Sequence, residues 1–201
     1  RLFRIDGDTN TSSIRVMVVN SIGGGTGAGI FLQVAMYIRD YIENRKNKKV
    51  LIKGSFVLPD VVIPEIENTQ QIENIRANGY ACLKELDCIT SIADGSANVN
   101  LELEFKPNQR DSQGKINFDI GNKRPYDFVF LYDYENDDEK NLGKISNYMN
   151  QIAKNIYLQL FSPISGDSYS KEDNEILNHI KKGSKNRYCG AGSTSIIYPY
   201  E

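Results

Sequence analysis

Residues 23–29 read Gly-Gly-Gly-Thr-Gly-Ala-Gly, and no other stretch of the sequence is as well suited to chemistry. Five of the seven are glycines, so the side chains that would hold a ligand away from the backbone are missing. Successive N–H groups of such a loop can turn inward as an anion cradle, and a helix that follows it adds unpaired amides and the positive end of its dipole. The expected ligand is a phosphate, held by Gly23, Gly24, Gly25, Thr26, Gly27, Ala28 and Gly29, with the Thr26 hydroxyl as an extra donor. The plainer reading is a tight turn with close helix–strand packing, for which one or two glycines would suffice.

The identity of the phosphate ligand is a separate matter. A P-loop needs Gly-Lys-Ser/Thr, and no lysine lies between Arg15 and Lys46, which excludes that kind of nucleotide site. A dinucleotide fingerprint can be threaded through Gly23, Gly25 and Ala28, but its acidic ribose partner, due about 20 residues on, has no counterpart before Asp60. Cys82, Cys88 and Cys189 are odd in number and lack the C-x-x-C spacing, and His179 is the sole histidine. Neither a disulfide framework nor a zinc site is expected, and the thiols are read as reduced and cytoplasmic. The acidic run Asp133, Glu135, Asp137, Asp138 and Glu139 reads as a solvated loop with helix-start acids rather than a metal site. His179, Lys181, Lys182, Lys185, Arg187 and Tyr188 read as a solvated basic helix end.

The elements that must position the glycines are those of an α/β layer. The β-branched run at residues 14–20 predicts a buried strand ending at the glycines, residues 30–44 a helix buried on most of its circumference, and residues 50–58 a second strand. This is one βαβ unit of a parallel sheet. Ile72, Ile75, Gly79, Cys82, Leu83 and Leu86 share a face of a helix over 69–87, with Gly79 allowing a close approach to the layer beneath. Strict alternation at Val99, Leu101, Leu103 and Phe105, then Ile116, Phe118 and Ile120, predicts a hairpin, read as an insertion at about 94–124. A strand at 128–132, a helix at 140–161 with Ile145, Met149, Ile152, Ile156 and Leu160 on its stripe, a helix between Ser170 and Gly183 and a strand at 193–198 complete the pattern.

A chain of 201 residues fits one substantial core. Forty per cent hydrophobic and 25% charged residues exclude intrinsic disorder, and no apolar run is long enough to span a bilayer. With 24 basic and 26 acidic side chains, the net charge of -2 gives no reason to expect a nucleic-acid partner. The opening on Arg1, with neither Met nor signal segment, is expected of a piece of a longer cytoplasmic polypeptide.

The segment Gly23-Gly24-Gly25-Thr26-Gly27-Ala28-Gly29 resembles the signature of the tubulin and FtsZ family, GGGTG followed by a small residue and Gly, which lies between strand and helix and holds the phosphates of GTP. The runs at residues 76–87 and 156–160 are more similar to large bacterial tubulin-like proteins than to FtsZ. The resemblance implies an incomplete copy of a three-layer, mainly parallel α/β nucleotide-binding domain with helices on both faces, here over residues 1–201. It also implies GTP or GDP with Mg²⁺ as cofactor, self-association of the full-length protein into filaments, and guanine or ribose contacts for which Asn147, Asn136 and Asp133 are the best matches. Two departures matter. Ala28 stands where the family commonly has Ser or Thr, and the family's acidic catalytic loop after the central helix is not recognised, since Asp167, Asp173 and Glu175 lack its spacing. A filament-forming GTPase and a non-hydrolysing scaffold on the same fold are therefore both expected readings, with a dinucleotide-binding domain as a weaker third.

Overall fold

The computed structural model describes residues 13–96, 102–105, 116–119, 124–161, 174–175, 178–179 and 187–191. Four parallel strands form the main sheet, in spatial order β1 (Ser13–Ser21), β2 (Lys49–Val57), β5 (Phe128–Tyr132) and β6 (Tyr188–Gly190). Helices α1 (Gly25–Asp40) and α2 (Thr69–Ala93) cover one face, and α3 (Ile145–Leu160) covers the other. The expected α/β architecture of a parallel sheet between helical layers is what the chain forms.

Alternation along the strands divides the core. Ile52, Phe56 and Val129 point to α1 and α2, where they meet Phe31, Ala35, Cys82 and Leu86. Val57, Phe130 and Tyr132 point to Tyr148 and Ile152 of α3. Phe56, fully buried, is edge-on to both Phe31 and Tyr126, with ring centroids 5.8 and 5.1 Å away. The Tyr126 hydroxyl donates to the Phe31 carbonyl at 2.6 Å, and burial holds its pKa well above the usual phenol range.

Several expectations need correction. Helix α1 begins at Gly25, inside the glycine motif, and ends at Asp40, followed by a π-helical turn, Tyr41–Arg45. It is less buried than the expected burial of most of its circumference, because Ile30 (46% exposed), Val34 and Tyr37 (48% exposed) share an outward stripe. Strand β1 lies at the edge of the described sheet, with Arg15 and Val19 exposed. Helix α3 starts at Ile145 rather than 140 and turns Tyr148, Ile152 and Gln159 inward, leaving Met149 exposed. Gln159 is buried because it receives the Nζ of Lys53, a buried β2 residue, at 3.4 Å. Arg187 and Tyr188 belong to the approach and first residue of β6, not to a solvated helix end, and Arg187 is buried. The expected strand at 193–198 and most of the helix between 170 and 183 lie outside the described residues, although 174–175 and 178–179 are helical and His179 is exposed.

The predicted hairpin forms. Strands β3 (Glu102–Phe105) and β4 (Ile116–Asp119) pair antiparallel as a sheet of their own, with Leu103 opposite Phe118 and Phe105 opposite Ile116. Helix α2 is longer than expected, reaching Ala93, and its apolar face is the predicted one. At Gly79 it packs tightly on the turn after β2, since a Cβ there would lie 2.3 Å from Pro59 Cγ.

That contact generates a test. Gly to Ala in a helix ordinarily stabilises by up to about 1 kcal/mol, and Gly29, helical with open space around it, should follow that rule. Gly79→Ala should do the opposite, costing about 1–3 kcal/mol by driving α2 off Pro59. Shifts of the same sign in urea unfolding of the two variants would contradict this packing.

Candidate functional site

Because all four strands are parallel, the segments after β1, β2 and β5 emerge on one edge of the sheet, the edge at which open α/β sheets take their ligands. Backbone bonds run past the strand ends and hold the segments together: Ile22 N–H donates to Val57 O at 3.2 Å, and Leu58 N–H to Tyr132 O at 2.9 Å.

The glycine loop occupies the β1 corner. Two of its glycines are required by packing. A Cβ at Gly27 would lie 2.1 Å from Ser21 O and 2.4 Å from Asn20 Oδ1, and one at Gly23 would lie 2.8 Å from Ile75 Cγ2. Gly24, Gly25 and Gly29 are different, since a Cβ at any of them would meet nothing within 4 Å. None of the motif's glycines has positive φ, so neither crowding nor backbone conformation calls for glycine at these three positions. What their bareness does is expose the backbone. Gly24 is the N-cap of α1 and has no side-chain cap, so the amides of Gly24, Gly25 and Thr26 find no acceptor among the described residues. Ala28 is placed otherwise: its N–H donates to Gly24 O at 2.9 Å and its methyl packs on the core.

Side chains that the sequence does not single out hold the loop in place. Asn20 Nδ2 donates to Gly27 O at 2.9 Å, and Asn78 Nδ2 reaches from α2 to Gly23 O at 3.1 Å. One turn further along α2, the buried Cys82 thiol lies 3.7 Å from Ile22 O and 3.6 Å from Ala28 O. Burial, and secondarily Glu85, pushes its pKa up to about 11. Asparagines near a glycine motif carry no distinctive spacing, and only the docking of α2 brings position 78 to the loop.

Two strands away, the segment after β5 lines a cleft of about 710 Å³ with the start of α3. Asp133 and Asn136 are both on its wall, with Tyr134, Tyr148 and Gln151. Asp133 is exposed and accepts from the Tyr134 amide at 2.7 Å. Asn136 organises its loop, its Oδ1 accepting from Asp138 N–H at 3.1 Å and Lys140 N–H at 2.9 Å. The rings of Tyr134 and Tyr148 stack with centroids 5.8 Å apart, and the Tyr148 hydroxyl donates to Tyr134 O at 2.5 Å while accepting from Leu142 N–H at 2.9 Å. The acidic run is loop throughout, because α3 begins only at Ile145 with no acid in its first turn. Glu65 supplies the missing acceptor from the 3₁₀ turn Ile63–Glu65, taking the Ile145 amide at 3.3 Å.

The sheet edge thus gathers the glycine loop, Asp133 and Asn136. Asn147 is not on the cleft wall, and its amide is engaged with Leu142 O at 2.7 Å. The glycines do not line the cleft either; they flank it on the same edge. Asp60, in the turn after β2, is exposed and faces Arg76 at 3.6 Å. No group of three or more His, Cys, Asp or Glu able to hold a metal ion exists among the described residues, nor is any described helix long and apolar enough to cross a membrane.

A family model described as "Tubulin like" matches residues 2–201 of the chain. No curated protein and no solved structure matches it.

The buried thiol beneath the loop gives a second test. At pH 8 a thiol-directed reagent should modify exposed Cys88 quickly and Cys82 only as fast as the domain opens. The fold favours the neutral thiol of Cys82, so its contribution to stability is complete below about pH 9, the unfolded value, and is lost as pH rises toward 11. Equal labelling of the two cysteines in native protein, read by mass spectrometry, would contradict this placement.

Proposed function

Because the chain belongs to the tubulin-like family, we propose that it binds a guanine nucleotide across the C-terminal edge of its sheet, phosphates on residues 23–29 and base in the cleft beside α3. The observation that carries the reading is the bareness of Gly24, Gly25 and Gly29, which packing and φ leave unexplained and which a ligand close to the backbone would require. The unpaired amides at the start of α1 fit a phosphate, and the Thr26 hydroxyl adds a donor. In the cleft, the Asp133 carboxylate suits the adjacent N–H groups of guanine's Watson–Crick edge, and the Asn136 amide can donate to its O6. Tyr134, backed by the buried Tyr148 on which it stacks, offers an aromatic side chain to a planar base. Asn147 acts one step back, closing the turn before α3.

The loop has no lysine, so Mg²⁺ carried on the phosphates would supply the countercharge, with phosphate oxygens rather than a cluster of carboxylates as its ligands. The hairpin β3–β4, paired only with itself among the described residues, is proposed as an insertion into a single nucleotide-binding domain, at about 94–124. Self-association into filaments in the cytoplasm, without nucleic acid, is the assembly that accords with the family.

The reading of a non-hydrolysing scaffold rests on a specific observation. The family's acidic catalytic loop after the central helix is not recognised in the sequence, where Asp167, Asp173 and Glu175 lack its spacing. A phosphate cradle alone binds GTP and its transition state alike and does not lower the barrier.

Two measurements test these readings. Calorimetric titration of the full-length protein should show GTP bound in preference to ATP, and Gly25→Val, which places a branched side chain over the exposed amides without backbone strain, should weaken GTP binding at least roughly tenfold, a loss of about 1.4 kcal/mol. Equal affinity for the two nucleotides, or undiminished binding by folded Gly25→Val, would defeat the proposal. Phosphate release from GTP and Mg²⁺ by the 201-residue chain should stay near background at every protein concentration. Robust turnover that is independent of concentration would remove the scaffold reading.

A further inference from the structure

We infer that Asn78 is a positioning residue for the phosphate site, aiming the Gly24 amide at the ligand by holding the Gly23 carbonyl from behind. The inference rests on the nucleotide-binding reading above and goes beyond it by assigning a role to a side chain that touches no ligand. The peptide between Gly23 and Gly24 is planar, and no cis peptide bond occurs among the described residues, so the carbonyl of Gly23 and the N–H of Gly24 point in opposite directions. Asn78 Nδ2 draws the carbonyl toward α2 at 3.1 Å. The Gly24 N–H is therefore turned away from α2, and the backbone there is open, since a Cβ on Gly24 or Gly25 would meet nothing within 4 Å. The preceding peptide is biased in the same sense, because Ile22 O also faces α2, where the Cys82 thiol lies 3.7 Å away.

Asn78 and Cys82 are four residues apart, on one face of α2, so a single helix surface sets two successive peptide planes. The alternative orientation of either plane would point a carbonyl oxygen at the phosphate, replacing attraction with repulsion. A glycine loop without a lysine depends chiefly on its amides for direct contacts, and glycines leave peptide planes easy to rotate. An external clasp resolves that conflict, and the half-buried Asn78 is placed to be it. The neighbouring Gly79 sets the distance, since its contact with Pro59 is what lets α2 approach closely enough for a short side chain to reach.

The test separates aiming from mere structural support. In the full-length protein, Asn78→Leu removes the donor with little change of volume. The expected result is a Kd for GDP raised roughly tenfold, equivalent to about 1.4 kcal/mol, with the Kd for guanosine unchanged and the ligand-free thermal midpoint little altered. Undiminished GDP affinity in the folded variant would overturn the inference, as would equal losses for GDP and guanosine, which would mean general loosening of the site. Should Asn78→Leu fail to fold, amide hydrogen exchange on the wild type decides: GDP should slow exchange at Gly24, and an unchanged Gly24 rate in GDP-saturated protein would overturn the inference. A wild type that binds no guanine nucleotide defeats the nucleotide reading itself, a failure distinct from that of the clasp, which is seen only where GDP binds and Asn78 or Gly24 does not respond.

Discussion

The close approach of α2 to the sheet edge is the constraint on which the remaining arrangement hangs. Residue 79 has no side chain, Pro59 fills the space one would take, and α2 can then lay Asn78, Gly79 and Cys82 against both the glycine loop and the turn after β2. That turn continues into Glu65, whose carboxylate caps α3. A helix, two loops and the start of a second helix are in this way fixed relative to one another by contacts of a few ångströms, and the missing side chain of Gly79 is what lets the first of them form. A ligand edge made mainly of loops obtains its rigidity from the helix behind it, which reconciles exposed backbone with defined geometry.

The opposite edge of the sheet is held by charge. Arg39, near the end of α1, donates to Arg124 O at 2.7 Å and pairs with Glu43 at 3.1 Å and Asp127 at 2.8 Å. Asp127 in turn accepts the Ile52 amide at 2.7 Å while its own N–H returns to Ile52 O at 2.8 Å, closing the ladder between β2 and β5. Asp94, at the end of α2, receives Arg124 and, at 3.6 Å, Arg187. Burial, then the neighbouring Arg124, lowers the Arg187 pKa, with Asp94 and Asp127 opposing the shift. Buried guanidinium groups are tolerable here because each faces carboxylates, and removing one partner would cost far more than the pair contributes.

How much of this is legible in the sequence depends on how far each signal reaches along the chain. The β1–α1–β2 unit, the face of α2 and the β3–β4 pairing are readable because each is written in local periodicity, and the glycine motif because its composition is extreme. The start of α1 is hidden because glycine disfavours helix, whereas here it serves as N-cap and first turn. The exposed Ile30, Val34 and Tyr37 show the limit of apolar content as a guide to burial, since the pattern does not say which neighbours exist. At the candidate site the same division holds. Residues 23–29 stand out by composition, and Asp133 and Asn136 through resemblance. Asn20, Asn78, Glu65 and Tyr148 act across the fold through single hydrogen bonds or ring contacts, for which a sequence carries no marker.

The strand order has a consequence for how the chain assembles itself. Strands β1 and β2 are joined by a short connection through α1, so their pairing needs little loop closure, whereas β5 must wait for residues 58–127 to be gathered in, and β6 for the whole of α3 and the segment between them. By this measure the β1–β2 pair closes the shortest intervening segment, residues 22–48, the β5–β6 pair a longer one, 133–187, and the β2–β5 pair the longest, 58–127, while β6 carries Arg187 to Asp94 at the end of α2. Through three residues, 188–190, and the Arg187 beside them, this short strand ties a segment distant in the chain both to β5 and to the end of α2.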